Sequence, residues 1–325
     1  SGAIKLAKIT LSSDEKSYGV YYEVTTDGEE YKETVTYSAQ NQKVSDILND
    51  IVSVNTGTTG PEITIGSIGT PIEEDITIDT GNADENKTTT LKGAITGKVN
   101  VTGSGTLQSE INCSGFKGAT KSIIHIIGGE ILGSTSATDA VIDLTSADFI
   151  VDGSAHIVDR SEAFSQNRYA ISATGGVKVT VNGGTIESEK NTAVYLYRSG
   201  RSGLQEDHAK FEMTGGTIKG GEYGLKHTHL NEVSLSGGKI SGGENQPDVY
   251  MAWEKNSVSG TAKFTVKGNF PFASMKIESA SKINEIDFTK ATATGEENLQ
   301  INLPWDGNET GANMKLFKAS TSNYR

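Results

Sequence analysis

The chain has 325 residues, with 38 glycines, 5 prolines, a single cysteine and a formal net charge of −12. Many glycines and few prolines favour tight corners over a proline-rich coil, and we expect little helix. The net negative charge argues against a protein that binds rows of phosphate groups. We therefore do not expect nucleic acid or an anionic membrane surface as the partner.

Membrane spans, disulfides and metal sites are not expected either. The sequence has no run of 18 apolar residues, and it opens at Ser1-Gly2 without a charged or apolar leader, so we expect no membrane insertion. Cys113 has no cysteine to pair with and is expected to fill the core. No Asp-x-Asp-x-Asp-Gly loop occurs and the two histidines of HTH lack a third ligand in register, so we predict no metal and no cofactor.

Residues 1–57 differ in pattern from the rest of the chain. IKLAKITL, YGVYYEVTT and YKETVTYSA read as strands, and Asp27-Gly28 predicts a tight hairpin between the last two. One face of a short helix follows, with apolar residues at Val44, Ile47, Leu48 and Ile51. We predict a small β-rich, ββα-like unit here, which serves either as a cap on the following strands or as an attachment and docking module.

Residues 58–303 repeat a Gly-Gly string flanked by short apolar strands. The clearest copies are IIHIIGGEILGS, VKVTVNGGTIES, AKFEMTGGTIKGG and EVSLSGGKISGG. Six copies lie 22 to 32 residues apart, which is the period of stacked solenoid units. One repeat cannot bury its own apolar face, whereas a stack can. The copies are aligned on Gly128, Gly153, Gly183, Gly215, Gly237 and Gly268.

A second set of short strands recurs alongside the Gly-Gly copies, with one strand before each copy from Gly153 on; we call this set the second column. Its members are DAVIDLT, YAISATGG, TAVYLYRS, YGLKHTH and DVYMAWEK. A coil of parallel strands needs constant strand lengths but tolerates loops of any size at its corners, so the unequal steps predict inserted loops at residues 159–167 and 198–208. We expect residues 304–325 to form a closing segment.

The GGTIxxG strings and the AVYL-type strands resemble the right-handed parallel β-helix of pectate-lyase-like proteins, over roughly residues 61–290. They are most similar to repeats of secreted and surface-attached bacterial proteins. The resemblance implies an all-β fold, a right-handed parallel β-helix solenoid, and an extracellular or cell-surface location. It does not imply one activity, because this fold hosts lyases, hydrolases, phage tailspikes and adhesins.

Alternation along a strand separates the second column into inward and outward rows. The first inward row is expected to contain Val141, Ile171, Val194, Leu225 and Val249. The second is expected to contain Asp143, Ala173, Leu196, His227 and Met251. His227 is therefore predicted to be a core histidine, bonded to a neighbouring backbone group.

The opposite parity carries aromatic and basic residues. Tyrosine and tryptophan beside basic side chains stack on sugar rings and bond their hydroxyls or carboxylates. Outward aromatic residues can also simply pack on each other across neighbouring strands. The first outward row is Ser172, Tyr195, Lys226 and Tyr250, and the next is Thr174, Tyr197, Thr228 and Ala252. The candidate glycan-binding residues are Tyr195, Tyr197, Arg198, Lys226, His229, Tyr250 and Trp253.

No catalytic residue is assigned. The outward rows in this alignment contain no acid, and the sequence lacks the Asp-Asp, Gly-His-Gly and Arg-x-Lys strings of polygalacturonase-like proteins. We therefore expect a secreted, non-catalytic, adhesin-like protein that binds a polysaccharide or a cell-surface glycan, with its oligomeric state open. The alternative is a polysaccharide lyase or glycoside hydrolase, including a trimeric phage tailspike. A lyase would use Lys226 or Arg198 as base and Tyr195 or Tyr250 as acid.

Overall fold

The computed structural model describes residues 2–55, 57, 59–82, 87–136, 139–165, 167–197, 208–228, 231–252, 262–268, 274–277, 284–291, 300–302 and 314–317. Strands make up 53% of the chain and helix 5%, so the predicted all-β class with long parallel sheets is confirmed. The chain divides into two compact units, Ser1–Leu132 and Gly133–Arg325. Within the described ranges, no helix is both long and apolar enough to cross a bilayer.

The described part of the first unit contains one helix and eleven strands. They are β1 (Ala3–Leu11), β2 (Ser17–Thr26), β3 (Glu29–Ser38), α1 (Val44–Val54), β4 (Glu62–Ile65), β5 (Ile76–Asp79), β6 (Thr88–Ala94), β7 (Lys98–Thr102), β8 (Thr106–Asn112), β9 (Gly115–Gly118), β10 (Ile123–Ile126) and β11 (Glu130–Leu132). One sheet has the order β10-β8-β6-β4-β1-β2-β3 and is parallel up to β1, after which β2 and β3 pair antiparallel. A second sheet, β9-β7-β5, is parallel.

The predicted hairpin joins β2 to β3. The φ angles of Asp27 and Gly28 are 53° and 83°, and positive φ at both central positions defines a type I′ turn. Ten residue pairs follow without a bulge, from Thr26↔Glu29 to Ser17↔Ser38. The hairpin therefore extends the sheet beyond β1.

The predicted helix, α1, lies against β5 at the end of the three-stranded sheet. Its buried face consists of Val44, Ile47, Leu48 and Ile51, as the spacing predicts. The amide of Thr77 donates to Ser45 Oγ (2.9 Å), and the amide of Asp79 donates to Asn49 Oδ1 (2.8 Å). Asn49 Nδ2 donates in return to the Thr77 carbonyl (3.2 Å). Helix side chains thus satisfy backbone groups that a further strand would otherwise pair.

The described part of the second unit continues with eighteen strands. They are β12 (Ile142–Leu144), β13 (Asp148–Val151), β14 (His156–Asp159), β15 (Tyr169–Ala173), β16 (Lys178–Val181), β17 (Thr185–Ser188), β18 (Thr192–Leu196), β19 (Lys210–Met213), β20 (Thr217–Gly220), β21 (Leu225–Thr228), β22 (Glu232–Leu235), β23 (Lys239–Ser241), β24 (Val249–Ala252), β25 (Ala262–Gly268), β26 (Ser274–Ile277), β27 (Asn284–Ala291), β28 (Gln300–Asn302) and β29 (Met314–Phe317).

Three parallel sheets organise the second unit. Sheet A has the order β13-β16-β19-β22-β25-β27-β29, sheet B the order β14-β17-β20-β23, and sheet C the order β12-β15-β18-β21-β24-β26-β28. From β12 to β23 the chain visits sheets C, A and B in turn, and each strand pairs in parallel with the strand three places further along. We call each such passage through the three sheets a circuit.

The register lines up the apolar side chains of successive circuits in buried rows. Each aliphatic or aromatic side chain removed from water contributes about 1.5–3 kcal/mol, so these rows stabilise the stack. Sheet A contributes Phe149, Val179, Phe211, Val233 and Phe264. Sheet B contributes Ile157, Ile186, Ile218 and Ile240.

The Gly-Gly copies turn the chain from sheet A to sheet B. Gly216 has a φ of 79°, and a Cβ added there would lie 2.6 Å from the Gly183 carbonyl oxygen of the preceding circuit. Gly184 has a φ of 72°, and its Cβ would lie 2.5 Å from the Ala155 carbonyl oxygen. Both the left-handed backbone and the close approach of adjacent circuits therefore require glycine.

The rows of sheet C confirm the predicted inward sets from β15 onward and correct them in β12. Ile142, rather than Val141, pairs with Ile171. Because three successive residues, 140 to 142, are buried, the apolar pattern alone does not define the parity of this strand.

Asp143 was wrongly predicted to point inward. It pairs with Ser172 in the outward row and is partly exposed, while Leu144 takes the inward position beside Ala173. A carboxylate at the inward position would have lost its hydration, which costs several kcal/mol without a partner. The expectation that the outward rows contain no acid is therefore wrong.

The loops and ends of the prediction are only partly described. The loop from residue 160 to 168 joins β14 to β15, close to the predicted 159–167. The other predicted loop lies outside the described residues, apart from His208. Of residues 304–325, only Met314–Phe317 is described, as strand β29. The proposed boundaries at 57 and 303 stay predictions.

Candidate functional site

The outward row of sheet C brings three of the predicted site residues onto adjacent strands. Tyr195, Lys226 and Tyr250 follow Asp143 and Ser172 in register. The ammonium of Lys226 lies 5.1 Å from the ring centroid of Tyr195 and 5.7 Å from that of Tyr250. Each contact is a cation–π interaction, so the lysine is held between two aromatic rings.

Tyr250 belongs mainly to a packed cluster. Only 8% of it is exposed, and its ring centroid lies 4.6 Å from that of Tyr223. For this residue the packing alternative raised by the sequence is correct. The accessible part of the row is therefore on the side of Tyr195.

Tyr195 is the centre of a group of three tyrosines. Its ring centroid lies 4.7 Å from that of Tyr169 and 5.4 Å from that of Tyr197, with an interplanar angle of 23° to the latter. All three side chains are partly exposed. Together they form a nearly continuous aromatic surface, which we call the tyrosine triplet.

The tyrosine triplet lines an open cleft with a volume of about 540 Å³. The other lining residues are polar or small, and they include Asp139, Asp143 and Ser172. Ser172 Oγ donates to Asp143 Oδ1 at 3.3 Å. A cleft of this size accommodates one or two sugar rings or a ligand of similar bulk.

The phenols of the cleft are hydrogen-bond donors at neutral pH. Burial raises the pKa of Tyr197, and the negative charge of Asp143 raises it further. Burial likewise raises the pKa of Tyr169, with a contribution from Tyr195. The cleft thus combines aromatic faces, protonated hydroxyl groups and carboxylate acceptors.

A buried ion pair fixes the loop at one side of the cleft. Arg168 Nε donates to Asp159 Oδ1 at 2.5 Å, and both side chains are almost completely buried. Arg168 also donates to the Ser134 carbonyl. The two ionised residues stand at the two ends of the loop of residues 160–168, so their contact closes it.

Neutral donors complete the environment of Asp159. Its Oδ2 accepts from Ser161 Oγ (2.9 Å), Ser188 Oγ (2.7 Å) and Asn191 Nδ2 (3.0 Å). Burial by itself raises the pKa of Asp159, but the hydrogen bonds from Asn191, Arg168 and the two serines outweigh it and hold this pKa below its usual value. The residue therefore stays ionised inside the protein.

The same network positions cleft residues. The amide of Ser165 donates to Asn191 Oδ1 at 2.6 Å, and the amide of Arg168 donates to the Ser165 carbonyl at 3.2 Å. Ser165, Asn167 and Tyr169 all line the cleft. The loop is thus tied to Asn191, which lies between β17 and β18, at the point where the loop shapes the cleft wall.

The sequence missed Tyr169 and Asp139. Strand parity groups Tyr169 with the inward Ile171, but Tyr169 is the first residue after the loop and its ring lies against Tyr195. Asp139 precedes β12, so the alternation of side chains along a strand does not predict on which side it lies. The signal that could have revealed the acidic side of the cleft was Asp143, whose charge favours an outward position.

Three predicted site residues, Arg198, His229 and Trp253, lie outside the described residues. His227 is buried as predicted, with its ring centroid 5.8 Å from that of Phe264, while its backbone bond stays a prediction. In the part of the chain that the structure describes, no three His, Cys, Asp or Glu side chains are placed to hold a metal ion.

No protein-family model, no curated protein and no solved structure matches this chain. Functional inference therefore depends on the geometry of the cleft.

Proposed function

We propose that the circuits are coils of a right-handed parallel β-helix and that residues 1–57 act as its cap. Two observations support this. From β12 to β23 the chain visits the three sheets of the second unit in a fixed order with parallel pairing, and crossovers between parallel strands of one sheet are right-handed in nearly all proteins. In the first unit, α1 occupies the edge of β5 with hydrogen-bonding side chains, as a cap does.

We further propose that the protein is a secreted or cell-surface, non-catalytic β-helix protein that binds a polysaccharide or a cell-surface glycan. The observation that carries the proposal is the tyrosine triplet, in which the ring of Tyr195 contacts those of Tyr169 and Tyr197 along an open cleft. Aromatic faces that are rigidly held and partly exposed favour stacking on the C–H faces of sugars.

The polar groups of the cleft complete the proposed binding mode. A sugar ring stacked on Tyr195 would place its hydroxyl groups towards Asp143 on one side and the Tyr197 phenol on the other. Carboxylates accept and phenols donate, so both functions of a hydroxyl can be satisfied. The ammonium of Lys226 contacts the rings of Tyr195 and Tyr250, so it stiffens the platform, and it is partly exposed, so it can also bind an acidic group of the ligand.

An array of immobilised neutral, acidic and amino polysaccharides tests the proposal. The purified full chain should be retained by at least one polysaccharide, with no soluble product after long incubation. If no polysaccharide retains the protein under any ionic condition, the proposed function is wrong.

A glycoside hydrolase is the second candidate, because Asp139 and Asp143 both line the cleft. In such enzymes one carboxylic acid protonates the glycosidic oxygen, while a carboxylate activates water or attacks the sugar. Time-dependent reducing ends that disappear in Asp143→Asn would establish this activity. Unsaturated ends would instead indicate a lyase. A trimer in light scattering would favour a tailspike.

A further inference from the structure

Among the described residues, no strand pairs with the outer edge of β3. β3 is the last strand of its sheet, contains ten residues, and pairs with β2 without a bulge. Soluble proteins generally shorten, bulge or cover such edges, interrupt them with proline or place charged side chains on them, since an open edge pairs with other strands. β3 contains no proline, its charged side chains all lie within residues 29–33, and residues 34–38 carry no charge. Most of its side chains are exposed, including Tyr31 at 56%.

The turn geometry determines which backbone groups face outward. In a two-residue type I′ hairpin, the residues that flank the turn form a hydrogen-bonded pair. Thr26 and Glu29 are that pair. Hydrogen-bonded and non-hydrogen-bonded pairs alternate along an antiparallel ladder. The backbone N–H and C=O groups of the odd-numbered residues of β3 therefore bond to β2. The N–H and C=O groups pointing away belong to Glu30, Lys32, Thr34 and Thr36, together with the N–H of Ser38, whose carbonyl already accepts from the amides of Asn41 and Gln42.

We propose that this edge pairs with the β3 edge of a second copy of the chain, antiparallel, with Thr34 opposite Thr34 on the two-fold axis. Such an isologous contact joins the same surface of both copies. In both copies the outward N–H and C=O groups belong to even-numbered residues. These groups can bond to each other only if even-numbered residues of one copy lie opposite even-numbered residues of the other. One residue of β3 must then lie opposite the same residue of the other copy, and the two-fold axis lies between these two residues.

The charges of β3 select the register. An axis at Lys32 would place two lysines opposite each other, and an axis at Glu33 would do the same with two glutamates. Like charges directly opposite on adjacent strands are destabilising. An axis at Val35 avoids both clashes but shortens the ladder to residues 32–38.

With the axis at Thr34, residues 30–38 of both copies pair and no like charges face each other. Tyr31 of one copy then lies opposite Tyr37 of the other, twice in the dimer, and cross-strand aromatic pairs stabilise antiparallel ladders. Glu30 lies opposite Ser38, whose N–H but not its carbonyl is available to the partner strand. The strand is thus complementary to itself in its longest permitted register.

The contact should be weak and dependent on salt. A single strand pair buries less surface than a stable interface needs, so the dimer should form only as the concentration rises. Each copy also carries a net charge of −12. Salt screens the resulting repulsion, so moderate salt should strengthen the dimer.

Sedimentation velocity over a concentration series tests the proposal with matched charge variants. We expect wild type and Thr34→Ser to shift from monomer to dimer as concentration rises. Thr34→Lys alone and Thr34→Glu alone should stay monomeric, because each places like charges on the axis. An equimolar mixture of the two should dimerise again, at least as readily as wild type.

The proposal is wrong if wild type stays monomeric throughout, if it assembles to another stoichiometry, or if the mixture of Lys and Glu variants remains monomeric. Thr34→Pro is an independent check. It removes an outward N–H and leaves the bonds to β2 in place. It should abolish the dimer while the unfolding midpoint in urea stays close to that of wild type.

Discussion

The ring centroids of Tyr169 and Tyr195 lie 4.7 Å apart, although the residues open β15 and occupy β18 in successive circuits. The two strands pair in parallel, with Tyr169 opposite Thr192 and Ser172 opposite Tyr195, and the long tyrosine side chains meet across the intervening residues. The tyrosine triplet therefore forms only if successive circuits stack in the observed register.

Replacing Tyr195 by alanine should weaken glycan retention about tenfold, because the central ring of the tyrosine triplet is lost. A tenfold change corresponds to about 1.4 kcal/mol. The urea midpoint should fall only slightly, since the side chain is partly exposed. Tyr21→Ala, which removes a tyrosine from β2, is the matched control and should leave retention unchanged. Equal retention by both variants would show that the triplet is only structural.

Asp159→Ala should lower the free energy of unfolding by about 3–5 kcal/mol, because Arg168 remains buried without its carboxylate. The double variant with Arg168→Ala should cost less than the sum of the single variants, since the two residues interact directly. Denaturant titration measures both. Lys178→Ala breaks an exposed ion pair with Glu212 and should cost at most about 1 kcal/mol. A similar loss for the exposed and buried pairs would contradict this prediction.

Acid should destabilise the protein through Asp159. Its pKa is lower in the folded state than in the unfolded chain, so its stabilising contribution is complete above the unfolded value of about 3.9. The contribution disappears as the pH falls through the lower, folded pKa. Urea midpoints of wild type should therefore drop more steeply below about pH 4 than those of Asp159→Asn. Parallel curves for the two proteins would exclude Asp159 as the source.

Gly216→Ala should destabilise the second unit by more than about 1 kcal/mol, since φ is 79° and the new Cβ would meet the Gly183 carbonyl. Gly69→Ala is the matched control. Its Cβ would meet no atom within 4 Å, so its effect should be within about 0.5 kcal/mol. Thermal unfolding of the two variants measures the difference. Equal midpoints would show that adjacent circuits are not in contact at the Gly-Gly corner.

Asn49→Ala should expose the edge of β5 to solvent, because the amide of Asp79 loses its acceptor. We expect faster hydrogen exchange at Asp79 and a loss of about 1–3 kcal/mol in stability. Ser53→Ala, in the same helix, removes only an exposed bond to the Asp50 carbonyl. It should leave exchange in β5 unchanged. Unaltered exchange in Asn49→Ala would argue against the capping role of α1.

Local patterns predicted the strands well. The Gly-Gly copies mark real corners because glycine alone meets both the positive φ and the close approach at Gly184 and Gly216. The alternation of apolar residues predicted the buried rows from β15 onward. Asp27-Gly28 predicted the hairpin because positive φ at both positions suits these two residues.

The cleft was harder to predict, because it depends on register and on a loop. The run of buried residues before Asp143 hides the strand parity, and only the cost of burying a carboxylate would have corrected it. Tyr169 reaches the cleft because Arg168 is held by Asp159, a contact between residues that carry no repeated pattern. Such buried polar contacts leave no periodic signal in the sequence.

The most direct test of the central claim is a crystal structure of the protein with an oligosaccharide of the polysaccharide that the array retains. We predict a sugar ring stacked on Tyr195, between Tyr169 and Tyr197, with a hydroxyl group bonded to Asp143. A well-defined saccharide at any other surface, with the tyrosine triplet unoccupied, would contradict the claim.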